Sequence, residues 1–571
     1  MGPSAEENFP TGRIIAGGDA SGAVLTLRTG LSFWGGVDPD TGNIIDIHHP
    51  NYGASVAGKI LLMPTSRGSC SGSGVLLQLA LRGIAPSALI FTENEEILTL
   101  GALVSGRIFN RPLSVLRVSQ TLYDHVSQSA VAEITGATLK TQSEGFELTR
   151  VSADDLHLAE TDRALLRGDA GPAATLAMEV LCLMTAIAGA KRLTDVSRGH
   201  IDGCILAHDA TLLFAEKMSA LGAQVAVPTT INAISVDRRN WRTQGVPAAF
   251  AKRASRLADA YVQMGARPTF TCAPYLLDGP PTAGENIGWS ESNAVLYANS
   301  VLGARTPKHP DYLDLFIAMT GRAPATGVYT EDGRRPRQIV EIAVPSSGVQ
   351  DEVFWPLIGW LAGKLSPDHI PLLNGLEQTH PEADDLKALC AAFATTSGAP
   401  MLHIAGHTPE AHLTPVPDAD RRTVTLDDLS DAWRTLNKGP REIDLVAIGS
   451  PHASIVEIRR IVDLFADRKC ASKTQMIVTL GRDVLRQAQT EGLLERLERA
   501  GVNLIPDLCW CSITEPVFPP SAIGLMTNSG KYAHYAHGLS GRYARLGGLA
   551  DCVEAAATGQ TPDGPPDWLS G

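Results

Sequence analysis

Several features that usually mark a protein's class are missing from this chain of 571 residues. Aromatic residues are only 5% of it, and the longest apolar stretch, around Ala177–Ala190, is interrupted by Glu179. A run that short does not cross a bilayer, so no membrane-spanning helix is expected. The first residues, Met1 to Thr11, carry Glu6, Glu7 and Pro10 but no basic stretch followed by an apolar one. No secretory leader is therefore expected, and a cytoplasmic location is. Low-complexity tracts and internal repeats are absent, which leaves a folded globular chain. Basic residues are outnumbered, 48 against 61 acidic, for a net charge of −13. No basic stripe offsets that balance, so nucleic acid is not expected as a partner. Neither G-x-G-x-x-G nor a P-loop occurs, which removes dinucleotide and nucleoside triphosphate readings, and no G-x-S-x-G elbow announces a hydrolase. The nine cysteines are scattered without a C-x-x-C pair. They read as core, catalytic or metal-binding thiols rather than a disulfide framework.

What is present begins with Leu61–Leu76. A short apolar run reaches Pro64, passes through Thr65-Ser66-Arg67-Gly68-Ser69-Cys70-Ser71-Gly72-Ser73-Gly74, and returns to apolar residues. That pattern is a strand-to-helix turn whose free amides suit an anion and whose hydroxyls can move a proton. A serine- and glycine-rich surface turn is the plainer alternative.

Length implies two or more domains. From Arg13 to about Gln142 the text is short strands between turn signals such as Gly53 and Gly101. The expected strands are Ala23–Leu27, Ile44–Ile47, Lys59–Met63, Ala88–Phe91 and Leu113–Val118, with one helix over Gly74–Arg82. This predicts a β-rich, barrel- or sandwich-like small domain over residues 1–142. Over residues 143–571 helical periodicity dominates, with helices expected at Asp154–Arg167, Ala173–Ala190, Asp209–Leu221 and Pro247–Met264. Short strands are expected at Val225–Pro228, Leu402–Ile404, Leu445–Ile448, Gln475–Thr479 and Val502–Ile505. The alternation predicts a large α/β domain with largely parallel sheets and ligand groups at the strands' carboxyl ends.

Four constellations carry possible chemistry. In Thr271-Cys272-Ala273-Pro274-Tyr275 a proline limits the cysteine's freedom, which suits a metal thiolate or a buried core thiol. In Cys509-Trp510-Cys511 two thiols either share a metal or share one face of a strand. Nothing in the spacing joins Cys272 to Cys509. Polar residues, Glu291, Ser292 and Asn299 among them, open and line the helix expected in 284–306, which ends at Arg305. In Met526-Thr527-Asn528-Ser529-Gly530-Lys531 a second small-residue turn runs into a lysine able to hold a carboxylate. His200, His407 and His452, near strand ends, read as hydrogen-bonded structural residues.

Taken together these stretches resemble the aconitase X family over nearly the whole chain. The small-domain matches are Leu31–Pro39, Gly58–Leu61 and the Arg67–Gly74 loop. The large-domain matches are Gly168–Gly171, His200–Gly203, Val227–Asn232, Thr271–Tyr275, Trp289–Thr306, Thr408–Ala411 and Ser529–Tyr535. The resemblance implies a swivelling small domain fused to a catalytic domain, so no separate small subunit is needed. The single-chain form dehydrates cis-3-hydroxy-L-proline, which makes the chain a hydro-lyase, whereas the two-subunit form acts on mevalonate 5-phosphate.

The resemblance further implies an iron–sulfur cluster, [2Fe-2S] in the single-chain form, with Cys272 and Cys509 at matching positions. Ser450 stands where the family often carries cysteine, and Cys511 is the possible substitute. The base implied is a serine alkoxide, Ser71 or Ser69, with the pKa lowered by Arg67 and loop amides. Asn232, Tyr275, Glu291, Ser292, Arg305 and Lys531 are the expected substrate contacts. Another hydroxy acid, such as a phosphorylated one, is the alternative substrate. A non-enzymatic metal sensor or RNA binder is the remaining reading, disfavoured by the acidic charge.

Overall fold

The computed structural model describes residues 12–67, 69–344, 351–562 and 564–569. Gly68, within the serine loop, and Met1–Thr11 lie outside them. Contacts divide the chain into two compact units. The first holds residues up to Thr229 together with Asp259–Ala266 and His309–Thr330, and the second holds Thr230–Ala258, Arg267–Lys308 and Glu331–Gly571. Among the described residues no helix is long and apolar enough to cross a membrane.

The first unit is built on nine strands: β1 (Gly12–Ala16), β2 (Ala20–Thr26), β3 (Ile60–Leu62), β4 (Ala88–Phe91), β5 (Ser114–Val118), β6 (Val131–Thr135), β7 (Thr138–Thr141), β8 (Gly145–Glu147) and β9 (Thr149–Arg150). Their hydrogen-bonded order is β8-β7-β6-β2-β3-β4-β5-β1-β9. β8 and β9 are separated only by Leu148 in sequence yet end the sheet on opposite edges. The sheet therefore curls until its edges nearly meet, as in a barrel. Ile14, Ile60, Leu62, Ile90, Leu116 and Leu148 pack in one buried cluster with Leu122 and Tyr123.

Five of the expected strands and helices in this region have close counterparts, but the helix content is larger. Besides α1 (Gly72–Arg82) there are α2 (Ile97–Phe109) and α3 (Gln120–Ser127), and β2 to β5 run parallel with α1 and α2 as crossovers. Gly101 is not a turn. It lies inside α2, where a Cβ would come 2.8 Å from the Ser73 carbonyl oxygen of α1, so glycine permits the two helices to touch. Ile44–Ile47 is not a strand. Ile44 makes an isolated bridge to Val37, while Ile45 and Ile47 are exposed and the Asp46 carboxylate binds the His48 amide to close a turn.

In the second unit two sheets are wholly parallel. One runs His403–Ile404, Pro371–Asn374, Gln338–Ile342, Asp420–Val424. The other runs Val502–Pro506, Gln475–Leu480, Leu445–Ala453, Leu525–Thr527, Ala544–Leu546. Side-chain alternation sends Val446 and Ile448 into one buried cluster and Leu445 and Ala447 into another, so helices cover both faces. In chain order this five-stranded sheet reads third, second, first, fourth, fifth. The order reverses between Leu445–Ala453 and Leu525–Thr527, and such a reversal opens a crevice at the carboxyl ends of the strands. Elsewhere, the strand expected over Val225–Pro228 begins at Thr229 instead, and the helix expected from Asp154 begins at Glu160.

Candidate active site

The crevice at that reversal gathers most of the polar residues singled out in the second unit. Leu445–Ala453 ends in Gly449-Ser450-Pro451-His452. Gly449 has φ +100°, and a Cβ there would come 2.1 Å from the Thr479 carbonyl oxygen, so only glycine lets the strand pass. Leu525–Thr527 leads into Ser529, whose hydroxyl caps the helix Gly530–Ser540 by accepting from the Tyr532 amide. Lys531 lies in that helix's first turn. After Val502–Pro506 comes Cys509-Trp510-Cys511, a turn rather than a strand. Trp510, fully buried, donates its indole N–H to the Ile448 carbonyl at 2.7 Å and so fixes the turn to the sheet.

Cys272 joins them from a different part of the chain. Cys272, Cys509 and Ala233 form one buried cluster with Cys511 packed against it. Cys511 packs beside Cys509 and Cys272, and the Cys272 sulfur accepts the His452 backbone N–H at 3.3 Å. The neighbouring Cys272, joined by burial, pushes the Cys509 thiol up. The neighbouring Cys509 and then burial push Cys511 up, with Lys531 opposing.

Beside the sulfurs lies an ion pair with an amide collar. Lys531 Nζ meets Glu291 Oε1 at 2.9 Å, both side chains nearly buried. Burial alone would raise the Glu291 carboxyl. The Lys531 charge and hydrogen bonds from Lys531 and Asn293 outweigh it and hold the carboxyl well below its usual range. Burial would lower Lys531, but its neighbours, the Cys511 thiol and the Glu291 carboxylate first among them, outweigh it and keep it protonated. Asn232 donates to Glu291 Oε2 at 3.3 Å. Asn293 donates to the Cys272 carbonyl at 3.1 Å and accepts from Tyr275 Oη at 3.0 Å, whose ring stacks on Tyr297. Ser292 opens the helix Ser292–Ser300 directly after Glu291, which caps it.

Arg305 has its backbone paired with Glu285 and Ile287, and its charge bears on Arg334, itself tied to Glu410. Asn299 is structural, donating to the Thr306 and Pro400 carbonyls. His407 bonds the Leu376 carbonyl, as a structural histidine does. His452 is hydrogen-bonded through both ring nitrogens, and its backbone N–H stands against Cys272. Asn293 and Thr271 were not singled out individually. Their position beside Glu291 and Cys272 was the available signal.

The serine turn belongs to the first unit. Ser71 sits at the N-cap of α1 and its hydroxyl makes no capping bond, while the Ser69 hydroxyl accepts the Ser71 N–H at 3.3 Å. Ser73 donates to the Cys70 carbonyl. Upstream, Ser66 donates to Glu95 Oε1 at 2.5 Å. That buried carboxylate also takes the Leu98 and Thr99 amides at the start of α2, and so ties the loop to the helix. Arg67 is exposed, with its stem over Gly30. The Cys70 thiol donates to Asp202 at 3.4 Å, and these two with Asp311 form a group whose ligand atoms lie within 4.8 Å of one another.

Do the residues fit a metal group? Three sulfur donors gathered in a buried pocket suit iron or an iron–sulfur cluster, because thiolates are soft ligands and a metal offsets the burial that opposes their ionisation. Lys531 adds positive charge beside them. The Ser450 hydroxyl, on the strand that delivers His452, is buried with no hydrogen-bond partner among the described residues, as expected of a group facing a ligand. The residues present fit such a group.

Four family models match in order along the chain: the aconitase X swivel domain over residues 10–141, and the first, second and third domains over 155–332, 336–434 and 443–558. The chain is 46% identical to the cis-3-hydroxy-L-proline dehydratase of Pseudomonas aeruginosa, covering 98% of each. It is 33% identical to the phosphomevalonate dehydratase large subunit of Methanothermobacter thermautotrophicus, covering 68% of this chain and 95% of that one. Among solved structures, the holo form of Thermococcus kodakaraensis aconitase X superposes with a TM-score of 0.64 at 28% identity, covering 70% of this chain and all of that one.

Proposed function

Because the chain belongs to the aconitase X family, we propose that it is a hydro-lyase that removes water from cis-3-hydroxy-L-proline. The product is an enamine that tautomerises to Δ1-pyrroline-2-carboxylate. The relative of that name aligns over nearly the full length of both chains, whereas the phosphomevalonate relative aligns with only part of this one. The swivel-domain match lies on the same chain as the catalytic domains, so no separate small subunit is invoked. We place the enzyme in the cytoplasm.

The observation that carries the substrate is the Glu291–Lys531 pair. A cyclic amino acid brings a carboxylate and a secondary ammonium on neighbouring atoms, and a buried carboxylate–ammonium pair complements both. In this reading Lys531 takes the substrate carboxylate and Glu291 the ring nitrogen, with Asn232, Tyr275 and Ser292 around them. A phosphate dianion would instead meet the Glu291 charge. Arg305 stays a proposed contact, supported only by the family motif.

Loss of water breaks the C2–H and C3–O bonds, so C2 gives up a proton and C3 gives up hydroxide. The C2 proton is weakly acidic, and Lys531 beside the carboxylate stabilises the charge that develops there. The proposed base is Ser71, with Ser69 as the alternative. Support for Ser71 is its hydroxyl, left free of capping at the start of α1, where amides favour an anion. Ser69 already accepts a hydrogen bond. Arg67 is the proposed source of further positive charge. Cys272, Cys509 and Cys511 would hold an iron–sulfur cluster, proposed as [2Fe-2S]. When bound, it supplies Lewis-acid assistance to the departing hydroxide.

An anaerobic assay tests the substrate. Imine should form from cis-3-hydroxy-L-proline and not from mevalonate 5-phosphate, and the reverse result would sink the reading.

A further inference from the structure

His452 has a role that neither a structural histidine nor a metal ligand describes. It is fully buried, and three of its groups reach the turns that carry the cysteines. Its backbone N–H meets the Cys272 sulfur at 3.3 Å. Its Nε2 lies 2.7 Å from the carbonyl of Leu508, the residue before Cys509. Its Nδ1 lies 3.1 Å from the hydroxyl of Thr271, the residue before Cys272. A carbonyl only accepts, so Nε2 carries the proton and Nδ1 accepts from Thr271. The Thr271 oxygen in turn accepts the Ala273 amide at 3.1 Å. Every donor and acceptor in this chain of bonds has one consistent role.

Both turns need such a tie. Each is entered through a non-glycine residue in the left-handed region, Phe270 at φ +46° and Asp507 at φ +74°, a conformation that persists only when its surroundings enforce it. Arg482 makes a second bridge on the outside. It binds Asp507 through two bonds of 2.6 and 2.7 Å and stacks its guanidinium 4.7 Å over the Phe270 ring. Cys272 and Cys509 lie far apart in sequence and share no element, and these two bridges tie the turns that carry them.

We propose that His452 is a positioning residue: its imidazole clamps the Thr271–Cys272 turn to the Leu508–Cys509 turn and fixes the spacing of the sulfurs. This rests on the reading of those cysteines as cluster ligands.

Thr271→Val, Thr271→Ser and His452→Phe test it against the natural chain. After anaerobic reconstitution, Thr271→Val and His452→Phe should release iron to a chelator at least tenfold faster, and Thr271→Ser, which keeps the hydroxyl, at the natural rate. In the metal-free chains, alkylation of Cys272 and Cys509 should quicken at least fivefold in Thr271→Val and His452→Phe but not in Thr271→Ser. Alkylation of the buried Cys390 and Cys552 should not change. Unchanged iron release and alkylation in Thr271→Val, or equal acceleration in Thr271→Ser, would overturn the clamp. A general rise across all four cysteines would also overturn it, as a fold defect. If the natural chain holds no iron, the ligand reading fails while the alkylation arm still decides the clamp.

Discussion

The serine turn of the first unit and the cysteine pocket of the second both follow short parallel strands, yet they are held in opposite ways. Around Cys272, Cys509 and Cys511 nearly every polar side chain is buried and spoken for: Glu291 by Lys531, Asn293 and Asn232, and His452 by Thr271 and Leu508. Around Ser69 and Ser71 the bonds are mainly between the loop's own neighbours, and Arg67 extends into solvent. A pocket that must hold metal and a zwitterion benefits from fixed charges in low dielectric. A proton acceptor needs a hydroxyl with no prior commitment. The second arrangement gives up rigidity for availability.

Breaking either side should expose that contrast, and the largest effect is expected on the cysteines. Cys272→Ser or Cys509→Ser should leave the chain folded, abolish visible absorbance and reduce dehydration to background, as read by spectrum and imine formation. Next, Ser71→Ala should lower kcat by ~10²–10⁴-fold, in the range of a lost general base, with iron content unchanged. If Ser69→Ala does this and Ser71→Ala does not, the assignment passes to Ser69.

The pocket's charges should respond as a pair. Lys531→Met leaves Glu291 buried and unpaired, a loss of about 3–5 kcal/mol in chemical denaturation. Lys531→Met combined with Glu291→Leu should regain much of that stability without regaining activity. The pH response has a definite sign. The Glu291 carboxyl lies lower in the folded chain than its ordinary 4.5. Its stabilisation is therefore complete above that value and lost as pH falls below it, and Glu291→Gln should flatten this acid limb of the stability curve. The smallest effect belongs to the loop. Ser66→Ala removes one hydrogen bond to Glu95 and should cost about 1 kcal/mol, seen as a slightly lower Tm.

The same contrast explains what the sequence could tell. Strands such as Ala88–Phe91 and Leu445–Ile448 were legible because continuous apolar runs between turn residues have few other uses. α2 was not, since Ile97–Phe109 is apolar on several sides and its Gly101, a helix contact, looks like a turn. The strand-to-helix form of the serine turn could be read from local text alone. The cysteine pocket could not be assembled that way, because Cys272 and Cys509 meet only through the strand reversal and the His452 bridge.

The near-closure of the first unit's sheet at Leu148 also constrains how this chain is made. β1 pairs with β5 and with β9, the latter more than a hundred positions later in the chain. It waits for β5 before it pairs on one side, and its other edge stays open until the chain near residue 150 has been made, a loop closure that slows assembly. A fragment ending at Gln142 would lack β8 and β9 and keep that edge permanently, whereas one ending after Arg150 carries all nine strands of the sheet.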